Sequence, residues 1–76
     1  MATSLQIGRA VRETRKALGL RQPDLAAAAG VGLRFVVELE RGKATAQLDR
    51  VLAVLNVLGL DLQVVRRGGA PFETSS

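Results

Sequence analysis

The stretch "LAAAAGVGLRFVVELERG", residues 25–42, constrains the fold more than any other part of this chain. Ala26 to Ala29 carry almost no side-chain bulk, so a second helix is able to cross this run at close range. Gly30 then supplies a left-handed residue that turns the backbone sharply. A new apolar period begins at Leu33. Two short helices joined by a tight glycine turn and crossing steeply form a helix-turn-helix.

The spacing predicts the leading helix of this pair over Gln22 to Ala29. Pro23 is tolerated because the N–H groups of a first turn have no partners in any case. Asp24 suits the positive end of the helix dipole. The trailing helix is expected over Leu33 to Arg41, with Gly42 as its stop. Steps of 100° put Val36 and Leu39 inward and Arg34, Val37, Glu38 and Arg41 outward together. Glu40 falls on the inward side, and a buried carboxylate needs a cation. Arg15, at the border of the preceding helix's apolar face, is the best candidate; the alternative is a Glu40 that reaches water.

Two more helices flank the pair. One is expected from about Ser4, as N-cap, to about Leu18, with Gly19 ending it. Ile7, Val11, Thr14 and Leu18 make its apolar face, and Arg9, Arg12 and Lys16 lie opposite. That basic stripe is either a solvated face or a surface that meets phosphate. The last helix is expected to follow Thr45 as N-cap and run to Leu58, before Gly59. Leu48, Val51, Leu52, Leu55 and Leu58 form its core face. Val54 and Val57 widen the apolar arc past half the circumference, which implies a second buried surface.

"LDLQVVRR", residues 60–67, changes the period to two. Leu60, Leu62 and Val64 point one way, as in a half-buried strand. Nothing else in the chain reads as a strand, so its partner must lie outside it. Antiparallel pairing with its own twin has a two-fold axis, the commonest symmetry of homo-oligomers. Leu60, Leu62 and Val64 would then pack on Val54 and Val57 in a dimer interface. The alternatives are a disordered segment or a strand added to a different protein. The expected fold class is thus mainly α: four helices containing the helix-turn-helix, plus one C-terminal β-strand that pairs across a two-fold dimer. Residues 1–67 are expected to form one domain that holds the helix-turn-helix and the dimer contacts, and "GGAPFETSS", residues 68–76, reads as a mobile tail.

Composition narrows the function. The chain has no histidine and no cysteine, so the commonest general base and the usual metal ligands are missing. Catalysis, a bound metal, a cofactor and a small-molecule substrate are all unexpected. Lysine and arginine outnumber aspartate and glutamate by 11 to 7, a net charge of +4, and a small basic domain usually meets a polyanion. Phe35 and Phe72 are the only aromatics, which disfavours base stacking on single strands. The longest apolar run, Val51 to Leu58, is interrupted by Asn56 and too short to span a bilayer, and no signal peptide is visible. A cytoplasmic, nucleoid-associated protein without a membrane partner is expected.

Residues 15–43, "RKALGLRQPDLAAAAGVGLRFVVELERGK", resemble the Xre/Cro helix-turn-helix family of phage repressors and bacterial regulators. Gly19, Leu20, Gln22, Leu25, Ala26, Ala29, Gly30, Val31, Val36, Leu39, Glu40 and Gly42 match the family pattern. The matching stretch covers about 40% of the chain. The single fourth helix followed by "LGLDLQVV" is similar to the HipB-like antitoxins, dimeric repressors that share a C-terminal strand, bind a HipA-like kinase toxin and repress their own operon.

The resemblance implies roles. Gln22 binds a phosphate, and Arg41 and Lys43 meet the DNA backbone; the basic stripe of Arg9, Arg12 and Lys16, with Arg21, is expected from its charge to meet phosphates beside them. Gly32, Leu33, Arg34 and Val37 face bases, with Glu38 beside them. Arg15 and Glu40 match the family's buried ion pair, and Phe72 would anchor a toxin. Arg21 and Gly32 stand where the family has capping Thr or Ser, and Leu33 and Val37 make the reading surface unusually apolar. Arg34 is its one strong donor, suited to guanine O6 and N7; Leu33 and Val37 suit thymine methyl groups, and Glu38 suits cytosine N4. The implied function is a dimeric repressor of a palindromic operator in double-stranded DNA, with a HipA-like kinase toxin as partner. The competing readings are a solitary regulator without a toxin, and an interaction module that no longer binds DNA.

Overall fold

A computed structural model describes residues 3–43, 47–64, 66 and 68 of the chain. Among them are four helices: α1 (Ser4–Ala17), α2 (Gln22–Ala29), α3 (Leu33–Glu40) and α4 (Leu48–Val57). Among the described residues no helix is long and apolar enough to cross a membrane.

The start of α1 lies one residue earlier than the expected Ser4 cap. Thr3 is the N-cap: its hydroxyl accepts from the Gln6 N–H at 3.1 Å, and the Gln6 side-chain carbonyl accepts from the Thr3 N–H at 3.0 Å. This reciprocal capping box satisfies two donors that would otherwise lack partners. At the other end Leu18 is the C-cap and is 56% exposed, so it does not extend the apolar face. The turn that follows carries it off the helix, and Leu20 takes the inward place. The Leu20 N–H returns to the Arg15 carbonyl and the Gly19 N–H to that of Lys16, the paired bonds of a Schellman stop. Helices α3 and α4 close in the same way, through Lys43 N–H to Glu38 O and Leu60 N–H to Leu55 O. Helix α3 therefore ends at Glu40, with Arg41 as its C-cap.

The four largest fully buried side chains are Val11, Leu25, Val36 and Val54, one from each helix. Leu39, Val51, Leu55 and Leu58 close around them. Helix α3 packs on α1 and α2, and α2 packs on α4. Within the alanine run only Ala26 is buried and Ala29 half-buried, while Ala27 and Ala28 face solvent. The small-residue contact that matters most lies elsewhere, at Gly8. A Cβ there would collide with the carbonyl oxygen of Leu39, so the absence of a side chain sets how closely α1 crosses α3.

Helix α4 corrects two expectations. Its core stripe is Val51, Val54, Leu55 and Leu58, while Leu48 and Leu52 are 61% and 44% exposed. Val54 is wholly buried within the chain and Val57 half-buried against the same core, so the surplus apolar arc is not theirs. The helix has apolar residues over more than half its circumference, and two stripes fit the periodicity equally well; packing against α2 selects the one through Val54. The N-cap is Gln47, and Thr45 lies outside the described residues.

After α4, Leu60 is half-buried on the core. Residues 60–64 form neither helix nor strand, and no strand occurs among the described residues. Leu62 and Val64 are 40% and 66% exposed. Val65, Arg67, Phe72 and most of the expected tail lie outside the described residues.

Candidate nucleic-acid interface

Helices α2 and α3 are separated by three residues. Gly30 adopts φ +70°, ψ +30°, a left-handed conformation that an L side chain enters only at a cost, and the turn is closed by Val31 N–H to Ala26 O at 3.0 Å. Gly32 is the extended N-cap of α3 and offers no side-chain bond to it. Val36 and Leu39 anchor α3 in the core, which leaves Leu33, Arg34, Val37, Glu38 and Arg41 around its outer side. Leu33 is 48% exposed. The Arg34 side chain is 90% exposed, whereas Val37 is half-buried.

Glu38 ties this face together. One carboxylate oxygen accepts from Arg34 Nε at 3.2 Å and the other from Lys43 Nζ at 2.8 Å. These two bonds, with Lys43 the larger influence, hold the Glu38 carboxyl below its ordinary pKa.

A second polar group braces the helix pair from beneath. The Glu40 side chain is only 3% exposed. It accepts from Arg15 Nε at 2.7 Å, Arg15 Nη2 at 3.0 Å and Gln22 Nε2 at 3.2 Å, while Arg15 Nη1 donates to the Leu20 carbonyl at 2.8 Å. The fork-shaped pair thus links α1, the start of α2 and the end of α3. The hydrogen bond to Glu40 raises the Arg15 pKa further above its already high value, outweighing burial. Gln22 therefore sits at the start of α2 with its amide nitrogen turned to Glu40. Arg21, the α2 N-cap, is exposed; its backbone N–H donates to the Asp24 carboxylate at 2.9 Å and its side chain lies 3.4 Å from the same oxygen. An arginine side chain has no acceptor, so the cap is satisfied in one direction only. Mainly through the Arg21 backbone N–H, the Asp24 carboxyl lies below its ordinary pKa.

Arg9, Arg12 and Lys16 are exposed on α1, and no bond among the described residues joins them to either polar group. Arg41 is exposed at the end of α3. The sequence reading missed the Gly8 contact and the Thr3–Gln6 cap. The cap was legible as "TSLQ", a hydroxyl residue followed three places later by glutamine. Gly8 carried no such signal, because a helix crossing is a tertiary fact.

The helix-turn-helix family model matches residues 11–65, most of the chain. The chain belongs to the Xre-type helix-turn-helix family. The uncharacterized HTH-type transcriptional regulator y4mF of Sinorhizobium fredii (strain NBRC 101917 / NGR234) is 52% identical over 66 residues, which span 87% of each chain. Among solved structures, a HipB-O4 20mer complex superposes with a TM-score of 0.77 over 87% of this chain and 93% of that one, at 20% identity. At that identity the likeness is one of fold, and it extends beyond the helix pair to all four helices.

Proposed function

We propose that this protein is a dimeric, sequence-specific transcriptional repressor that binds a palindromic operator in double-stranded DNA and partners a HipA-like kinase toxin. The observation that carries the DNA reading is the outer face of α3, where Arg34 stands 90% exposed on a helix fixed in the core by its opposite side. A net charge of +4 favours the polyanion. The relative named as a transcriptional regulator, and the fold likeness to a HipB-O4 20mer complex, support the same reading.

In this mechanism Gly32, Leu33, Arg34 and Val37 meet base edges, with Glu38 beside them. Arg9, Arg12, Lys16, Arg21, Gln22, Arg41 and Lys43 meet phosphates, which set register and affinity but not sequence. Gln22 would turn its amide from Glu40 to do so, leaving that carboxylate to Arg15. Cytoplasmic, nucleoid-bound protein follows from such a role.

Pairing of two copies rests on surplus apolar surface. Leu48, Leu52, Leu62 and Val64 are all exposed, and Leu48 and Leu62 share a shallow groove with Ile7, Leu39 and Val51. These residues take the place of Val54 and Val57 in the proposed interface, with the 60–67 segment pairing as an antiparallel strand with its twin. Exposed apolar residues gathered this way mark an interaction surface. A chain ending at Leu60 keeps the core contact of that residue; it is expected to be monomeric in sedimentation and to hold operator weakly. A truncated chain that still sediments as a dimer overturns the strand-sharing arrangement.

The toxin partnership rests on the likeness to HipB. Co-expression with the product of an adjacent kinase-type reading frame tests it, through co-purification and relief of toxicity. One observation favours a second reading, an interaction module without DNA binding: Leu33 and Val37 make the α3 face partly apolar. A gel shift with the chain's own promoter fragment at low salt separates the two, since the interaction module would give no shift.

A further inference from the structure

From the bonds around Glu38 we infer that this residue acts as a positioning residue for Arg34 rather than as a reader of bases, an inference that rests on the DNA-binding proposal above. Arg34 lies one residue inside α3, near the positive end of the helix dipole, and Glu38 lies in its last turn. Both charges oppose that dipole. An i,i+4 pair is also weaker with the base preceding the acid. Exposed pairs of this kind contribute little to stability in any case. Helix stability therefore gives no reason for the arrangement.

Its geometry does. Glu38 fixes the Nε edge of the guanidinium at 3.2 Å, and Lys43 Nζ, at 2.8 Å, holds the other carboxylate oxygen. The Glu38 side chain is only 30% exposed, against 90% for Arg34, so the anchored end is the sheltered one. Lys43 is itself fixed by its backbone N–H to the Glu38 carbonyl at 3.1 Å. The two terminal amino groups of Arg34 have no bond among the described residues, and on a side chain 90% exposed they are open to a two-pronged approach to guanine O6 and N7. A freely rotating arginine on this face would instead reach any nearby phosphate. Glu38 also places a negative charge at the surface facing DNA, which weakens attachment to random duplex.

The full-length protein is used to enrich its preferred duplex from a randomised library, and affinities for that duplex and a scrambled one are then compared. A bidentate arginine–guanine pair discriminates by about 5- to 150-fold. Glu38→Gln is expected to lose at least about threefold of that preference at the base pair read by Arg34, while binding to scrambled duplex holds or tightens. Equal melting temperatures of parent and variant exclude a folding defect. In an Arg34→Ala background the same exchange should cost no further discrimination, because it acts through the missing side chain. Three results overturn the inference: additive losses in the double variant, a changed preference at a different base pair, or a parallel fall in both affinities. A parent protein that enriches no sequence refutes the DNA-binding proposal itself, and the positioning role with it.

Discussion

Replacing Glu40 with alanine is the most telling change to stability. Its carboxylate accepts three hydrogen bonds in a site where the Arg15 and Glu40 side chains are 9% and 3% exposed. Without it, the Arg15 guanidinium keeps one partner, the Leu20 carbonyl, and no counter-charge. Removing one member of a buried pair costs about 3–5 kcal/mol, because the other charge stays out of water. A domain of 76 residues has roughly 4–11 kcal/mol of stability in all, so the loss takes a large share. Glu40→Gln keeps shape and an acceptor and should cost less, about 1.5–3 kcal/mol. The double exchange Arg15→Met/Glu40→Met leaves no charge stranded and should recover most of the loss. Urea unfolding followed by circular dichroism measures this, at one fixed chain concentration because pairing of copies would otherwise shift the midpoint. A Glu40→Ala variant within about 1 kcal/mol of the parent, or Arg15→Ala and Glu40→Ala losses that simply add, would refute the coupled buried pair.

Gly8→Ala pits a gain in helix propensity of about 0.5–1 kcal/mol against overpacking on the Leu39 carbonyl of about 1–3 kcal/mol. A net fall in melting temperature is expected, and an unchanged or raised one contradicts the close crossing. Asp24 and Glu38 have lowered pKa values in the folded chain, so their contribution is present above the ordinary carboxylate value of about 4 and is lost as pH falls through the lowered one. Asp24→Asn should flatten the acid side of the stability curve; curves that stay parallel refute the cap. Arg34→Ala should reduce discrimination at one base pair per half-site by about 1–3 kcal/mol, and equal losses on specific and random duplex rule out base reading. If the dimer neutralises roughly 6–10 phosphates, the slope of log affinity against log salt is about −5 to −9, and a slope near zero excludes phosphate contacts.

How far the sequence discloses the molecule depends on whether a contact is local. Helix α2 begins and ends where Pro23, Asp24 and Gly30 indicate, because caps and turns are set by neighbours in the chain. Glu40 was conspicuous because a charge on an inward face breaks the apolar period, and Arg15 was recognisable for the same reason. The Gly8 crossing and the choice of stripe on α4 were not legible. Both depend on which helix arrives from elsewhere, and an arc as wide as that of α4 lets Leu48 and Val54 exchange roles without disturbing the pattern. On the reading face, the i,i+4 spacing of Arg34 and Glu38 made their bond legible, but the bond from Lys43 was not. Lys43 joins the pair only because the Gly42 turn brings it back over α3.

In the proposed complex two copies present paired α3 helices to one duplex. Hydroxyl-radical footprinting of the full chain on its enriched duplex tests this directly. Two protected patches related by a two-fold axis are expected, with centres about 10–10.5 base pairs apart or a multiple of that. A single asymmetric patch, or no protection at low salt, contradicts it.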